Sequence, residues 1–291
     1  MKSLENAFFA LLLLTIPVQF GKHFWPFFSF VQGIRVDYLS PTLYVSDLAF
    51  LGIFIFSFYR LRWKLLRVAT SPLALGVIVL LCLGILFSDH KEAAFFGLVK
   101  FLEFFYFAFY IAHTIFEKNW KFVLFVLSLG GVIQSAILIM QFLNQASIGG
   151  VFYYLGERTF SPATIGIALF QWGDQLLLRP YGTFPHPNVA AYFLFTVFLL
   201  ILFNRGNHLY GHFFRFSILA LLAVGIMITF SRVIIGCFFV LVLLYLWRRM
   251  RKFGYIQVIG VFSFLVIIFT LLFAQRFGAS FLNDVKLRLE L

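Results

Sequence analysis

Apolar runs near 20 residues long recur through this chain, broken only by short stretches that carry cations, turns or caps. A run of about 20 apolar residues is what a helix requires to cross a ~30 Å hydrocarbon core. The runs fall roughly at 4–20, 43–58, 73–87, 95–115, 122–143, 189–203, 216–230, 233–247 and 255–274. The expected fold class is therefore all-α: a polytopic transmembrane helical bundle of about nine spans. Alternating ten-residue segments of a membrane barrel are not found, so helices are the spanning elements. The whole chain, 1–291, reads as one integral membrane domain with no internal repeat.

Net charge is +12, yet a nucleic-acid role is excluded by where the cations lie. They gather at the ends of the apolar runs, as membrane topology demands. Part of the excess suits anionic lipid headgroups. The 44 Phe sit within apolar runs and read as lipid-facing and packing bulk. Cys82 and Cys237 also lie within such runs and read as small hydrophobes. The opening run follows Met1-Lys2-Ser3, and no small-residue cleavage site follows it, so it reads as a retained span.

Arg60, Arg62, Lys64 and Arg67 form a dense basic loop after the second run, and Arg248, Arg249, Arg251 and Lys252 another after the eighth. With Lys118, Lys121, Arg205 and Arg215 they place the amino terminus in the cytoplasm by the positive-inside rule. The loop 144–188, the corner at Ser231 and Arg232, and the tail 275–291 then lie on the outer face. Loop 144–188 is long and rich in aromatic and apolar residues, which points to a folded element on the membrane.

The most chemical strip is Arg179-Pro180-Tyr181-Gly182-Thr183-Phe184-Pro185-His186-Pro187-Asn188. Asn188 is expected to cap the sixth span, since Asn is among the best N-caps. The capped end presents N–H groups and partial positive charge to an anion. Arg179 supplies a forked cation and Gly182 a tight turn or close backbone approach. A bland reading stands beside this one: a capped helix start with Arg179 reaching to headgroups. Arg232, with Ser231 before it, sits between two spans with almost no loop, where charge is costly and faces a polar cavity or partner. Arg158 is a third outer arginine, and Glu157 beside it reads as a solvated neighbour. Three arginines aimed at one place would suit a diphosphate.

Lys100 and Glu103 lie i, i+3 on one helix face and are expected to neutralise each other. Gln134, Gln141 and Asn144 form a polar stripe suited to interhelical hydrogen bonds. There is no Walker loop, no His-Glu-x-x-His and no paired cysteine. Asp37 and Asp47 are left as acids near the outer face with no clear metal site.

These motifs resemble those of the O-antigen ligase and polymerase superfamily, polytopic bacterial glycosyltransferases. The strip from Arg179 to Ala191 is similar to its Arg…Gly-Thr-Phe-x-His-Pro-Asn motif, through Gly182, Thr183, Phe184, His186, Pro187 and Asn188. Thr229-Phe230-Ser231-Arg232 resembles its Thr-x-Ser-Arg corner, and Asp37 to Asp47 an early outer segment. The resemblance implies a GT-C-like bundle in the bacterial cytoplasmic membrane. The implied donor is an undecaprenyl-diphosphate-linked glycan. The implied acceptor is a hydroxyl on lipid A-core, protein or growing glycan, with no metal or other cofactor and no nucleotide sugar. Arg179 and Arg232 match the positions that grip the diphosphate, Arg158 more loosely, and Arg288 resembles an arginine at the start of the family's large loop. The acceptor-activating histidine of the family is expected beyond residue 291. The chain therefore reads as a truncated member, inactive alone, with 275–291 as the start of that loop. His186 between two prolines is read as holding the strip in shape. Ligation and polymerisation stay open, and a lipid-linked glycan transporter or binding protein is the alternative of another class.

Overall fold

The computed structural model describes residues 2–31, 33–36, 39–164, 166–172, 175–204 and 211–249. The ninth apolar run, Arg288, Arg205, Asp37, Arg251 and Lys252 lie outside the described residues. Eight α-helices fall on the first eight runs: α1 Lys2–Thr15, α2 Val45–Ala69, α3 Pro72–Leu86, α4 Lys91–Thr114, α5 Trp120–Asn144, α6 Pro187–Phe203, α7 His212–Ile228 and α8 Arg232–Arg249.

The fold is mostly helical but not purely so. Three antiparallel two-stranded ladders stand between helices: β1 Gly21–His23 with β4 Thr42–Tyr44, β2 Phe30–Val31 with β3 Ile34–Arg35, and β5 Leu169–Trp172 with β6 Gln175–Leu178. All lie in the connections expected on the outer face, where extended chain satisfies its own backbone groups in pairs. Loop 144–188 is accordingly folded, with β5, β6 and a 3-10 turn over Gly150–Leu155.

The described residues show fewer clear spans than the nine expected. Among the described residues, α4 and α5 are each long and apolar enough to cross a membrane, and a third span arises if the bent pair α2–α3 is one. Two further apolar helices, α6 and α7, have 17 residues each, about 26 Å of rise, at the short end of what crosses a ~30 Å core. α1 stops at Thr15, two residues before Pro17, whose ring restricts the residue ahead of it to extended backbone.

A second correction concerns the basic loop. Arg60, Arg62, Lys64 and Arg67 lie inside α2, which runs on to Ala69. Arg, Leu, Lys and Trp are competent helix formers, and no breaker intervenes before Ser71 and Pro72. There the chain bends by 83°. Ser71 Oγ accepts from Ala74 N at 3.3 Å and caps α3, whose first residue is Pro72.

The chain divides into two compact units, Met1–Ile234 and Ile235–Leu291. In the second, the described part is the continuation of α8. In the first, α1 packs on α2 and α5, α2 and α3 pack on α4, and α5, α6 and α7 pack on one another. Phe9, Leu13, Ala49, Ile53, Tyr106, Tyr110 and Val123 form the core around α1.

One end of that core holds a lattice of charge. Glu5 in α1 is 2% exposed. It accepts two bonds from Arg60 Nη2, at 2.8 and 3.0 Å, and one from the Tyr110 hydroxyl at 2.8 Å. Lys118 Nζ lies 3.5 Å from Glu5 and donates to Asn6 Oδ1 at 2.7 Å and Tyr110 Oη at 2.6 Å. Glu117 takes up Arg60 and Lys2 at 3.6 and 3.4 Å. Opposite charges and hydrogen bonds of this kind offset the cost of burying Glu5.

Candidate functional site

The strip 178–188 is held almost atom by atom from α5 and the loop that follows it. Gln141 is fully buried. Its Oε1 accepts from Tyr181 N at 3.0 Å and Gly182 N at 2.8 Å. Its Nε2 donates to Gly182 O at 2.9 Å and to Glu157 Oε1 at 2.7 Å. Two turns earlier on the same helix face, Gln134 accepts from Thr183 N at 3.2 Å and donates to Thr183 Oγ1 at 2.9 Å. Thr183 Oγ1 also donates to Pro17 O. Gln145, in left-handed backbone (φ 50°), accepts from Leu178 N at 2.7 Å. Arg179 N donates to Ala168 O at 3.1 Å. The glutamine stripe thus hydrogen-bonds a loop, where helix-to-helix bonds were expected.

Gly182 meets the expectation of close approach. Its φ is +63°, and a Cβ there would lie 2.6 Å from Gln134 Oε1. Only glycine takes both the conformation and the contact without strain. Thr183 and Phe184 are buried, and the Phe184 ring packs 5.3 Å from that of Phe193.

Glu157 corrects the solvated reading. It is 3% exposed and accepts from Ile148 N and Gly149 N at 2.7 Å each, besides Gln141. Three N–H donors satisfy a carboxylate that has left water. The neighbouring Gly156 has φ +93°, and a Cβ there would strike Gln19 backbone at 2.5 Å. Nothing in an isolated Glu next to Arg announces burial. The glycines at 149, 150 and 156 were the available signal of a tightly folded loop.

The helix cap also differs from expectation. α6 begins at Pro187, and its N-cap is His186, whose Nδ1 accepts from Asn188 N at 3.1 Å. Proline suits the first helical position because the N–H it lacks would have no partner there. Asn188 is left with its side chain available, and Oδ1 accepts from Arg179 Nη2 at 2.6 Å. Burial, then the charge of Arg179, lower the His186 pKa below the usual imidazole value. The neutral ring is the form whose Nδ1 can accept.

Arg179 joins the two motifs of the sequence. Besides Asn188 at the start of α6, its Nε donates to Thr229 O at 2.9 Å, at the corner before α8. These bonds use two of the five N–H donors of a guanidinium. Both partners are neutral oxygens, and among the described residues no carboxylate forms an ion pair with Arg179. Burial is the largest influence on Arg179 and lowers its pKa; Tyr181 opposes this and the charge of Arg232 adds to it. Arg232 follows Thr229, the acceptor of Arg179 Nε, by three residues. It is exposed and is the first residue of α8.

The corner itself is strained. Phe230 has φ +51°, a conformation that a bulky L-residue adopts at a cost. Its ring stacks on Phe170 at 4.0 Å and lies 5.8 Å from Phe142. Thr229 Oγ1 accepts from Ser231 N at 3.3 Å and donates to Ile226 O at 2.6 Å, and Ser231 is buried. Arg158 is exposed beside buried Glu157. Through Thr229 O, Arg179 is tied to the corner that Arg232 follows, so the structure brings the two arginine motifs to one place.

Elsewhere, Lys100 pairs with Glu103 at 3.0 Å as expected, and with Asp47 at 2.6 Å. Asp47 also accepts from Tyr44 N at 2.9 Å, so it caps α2. No protein-family model, curated protein or solved structure matches the chain.

Proposed function

We propose that the chain is a GT-C-like glycan ligase or polymerase of the bacterial cytoplasmic membrane, related to the O-antigen ligases. Its substrate class is a glycan on undecaprenyl diphosphate, handed to a hydroxyl acceptor on the outer side. The observation that carries this reading is Arg179, half-buried at the meeting of two helix starts, fixed by Thr229 O and Asn188 Oδ1 without a carboxylate.

In the transfer, the acceptor oxygen bonds to the anomeric carbon as the bond from that carbon to the diphosphate oxygen breaks. The electron pair leaves with the diphosphate, and the acceptor proton passes to a base. Negative charge grows on the leaving group. Fixed donors aimed at growing charge stabilise such a transition state more than the ground state. Arg179 and Arg232 are assigned to that task, with Arg158 as a further cation; Arg288, the fourth arginine the resemblance suggests, lies outside the described residues. The amino ends of α6 and α8 add partial positive charge. Gln134, Gln141, His186 and Gly182 position the strip and do not touch substrate.

The test is transfer from an undecaprenyl-diphosphate glycan in membranes carrying this protein, with Arg179→Ala and Arg232→Ala. Removing one such donor costs roughly 100- to 1,000-fold in rate. Transfer at the unmutated rate in both variants, at equal protein level, sinks the reading.

A further inference from the structure

The second half of α2 is a surface of a different kind. Between Asp47 and Asp89 the sequence has no acid, yet it carries Arg60, Arg62, Lys64 and Arg67. The contacts sort these four. Arg60 turns inward to Glu5 and Glu117. Arg62, Lys64 and Arg67 form no ion pair among the described residues. At 100° per residue, Tyr59, Trp63, Leu66 and Thr70 share one strip of the helix, with Arg62 on one flank and Arg67 and Lys64 on the other. Tyr59 and Trp63 are 67% and 69% exposed, and Leu66 51%. The Arg62 guanidinium lies 4.2 Å from the Tyr59 ring centre and 5.2 Å from that of Trp63.

This is the layout of a helix at a membrane–water boundary, with aromatic rings at headgroup level and cations beside them. The 15 residues of α3 that follow the 83° bend are wholly apolar, with no residue buried. The elbow therefore passes from a polar boundary into apolar surroundings.

We infer that the α2–α3 elbow is a docking surface for anionic phospholipid headgroups, held by Arg62, Lys64 and Arg67 with Tyr59 and Trp63 beside them at headgroup level. The inference rests on the membrane-spanning reading but is independent of glycan transfer. Charge complementarity selects the occupant. The cations outnumber any acid in reach, and the aromatic strip between them matches a lipid boundary and leaves a free anion no apolar contact. Each cation near an anionic surface contributes about a fivefold gain in binding at low salt, declining as salt screens it.

The test uses the full chain reconstituted in phosphatidylcholine vesicles and in phosphatidylcholine–phosphatidylglycerol vesicles, then extracted for the lipid that stays bound. The expected result is about tenfold enrichment of phosphatidylglycerol over its bulk share, lost in the triple variant Arg62→Gln, Lys64→Gln, Arg67→Gln. A charge-matched triple, Arg248→Gln, Arg249→Gln, Arg251→Gln, should keep it. No enrichment in the unmutated chain overturns the inference, as does equal loss in both triples. Displacement of the bound lipid by millimolar inorganic phosphate also overturns it, by assigning the cluster to a free anion. Release of the unmutated chain from both vesicles by alkaline extraction would bring down the spanning reading itself.

Discussion

Arg60 and Arg179 are both partly buried arginines that tie helices together, and they are held in opposite ways. Arg60 meets the carboxylates of Glu5 and Glu117, so its charge is cancelled where it sits. Arg179 meets a backbone carbonyl and a side-chain amide, so its position is fixed and its charge is kept. A cation neutralised in place serves the fold. A cation held by neutral oxygens, near a second arginine, has electrostatic work left for an anion. The same contrast separates Glu5, surrounded by cations, from Glu157, satisfied by amides.

The sharpest way to break this comparison is to exchange the losses. Arg179→Ala should reduce glycan transfer by roughly 100-fold or more while leaving the unfolding midpoint nearly unchanged. Arg60→Ala should do the reverse, because it strips the main partner from buried Glu5. A destabilisation of about 3 kcal/mol is expected, toward the low side of the range for a broken buried pair since Lys118 and Tyr110 remain. Denaturation in detergent measures both. If Arg60→Ala leaves stability unchanged, the lattice is not structural and the contrast collapses.

Gln141→Met comes next. It removes the partner of two buried N–H groups, one carbonyl and one carboxylate, at about 1–3 kcal/mol for a group left unsatisfied. It should therefore be more damaging than Gln134→Met, with midpoints reading the order. Asn188→Asp tests the charge argument directly. It would pair Arg179 with a carboxylate at the present 2.6 Å, keeping stability but lowering transfer by about tenfold as the cation is cancelled. Transfer unchanged in Asn188→Asp would mean that the retained charge of Arg179 has no part in the chemistry.

The smallest effect belongs to His186. Its pKa is lowered in the folded chain by burial and by Arg179. The cap is intact above the ordinary imidazole value of about 6.5. As pH falls below that, the unfolded chain takes up a proton that the folded one resists, so stability declines and levels off once the folded ring is protonated. His186→Asn, which keeps a capping acceptor without a titrating ring, should flatten the decline. An equal slope in the variant removes His186 from the cap.

What could be seen in advance divides along physical lines. Apolar runs located eight helices because composition over many residues decides helix in such a chain. Run length did not decide the spans, since Pro17, Pro72 and the 17-residue helices α6 and α7 set limits that a hydropathy pattern ignores. Gly182 was legible from its residue type, and so was the pairing of Lys100 with Glu103. The cap was misplaced by one choice: Asn188 is the better capping residue in isolation, but a guanidinium brought from nine residues earlier competes for its oxygen. The roles of Gln134 and Gln141 were hidden because their partners in the strip lie far away in the chain, and that of Glu157 because the loop must fold back to bring the amides of Ile148 and Gly149 to it.

One of those distant links bears on how the molecule is made. Thr183 reaches back to the carbonyl of Pro17 across 166 residues. A nascent chain emerges from its amino end, so the segment after α1 waits, its acceptor unoccupied, while four further helices are laid down. The strip closes only when α5 and the loop that follows it have been delivered beside it. Assembly of the arginine corner is thus a late event governed by the earliest segment, and a shift of α1 by one turn should spoil a region that the ribosome has not yet begun to translate.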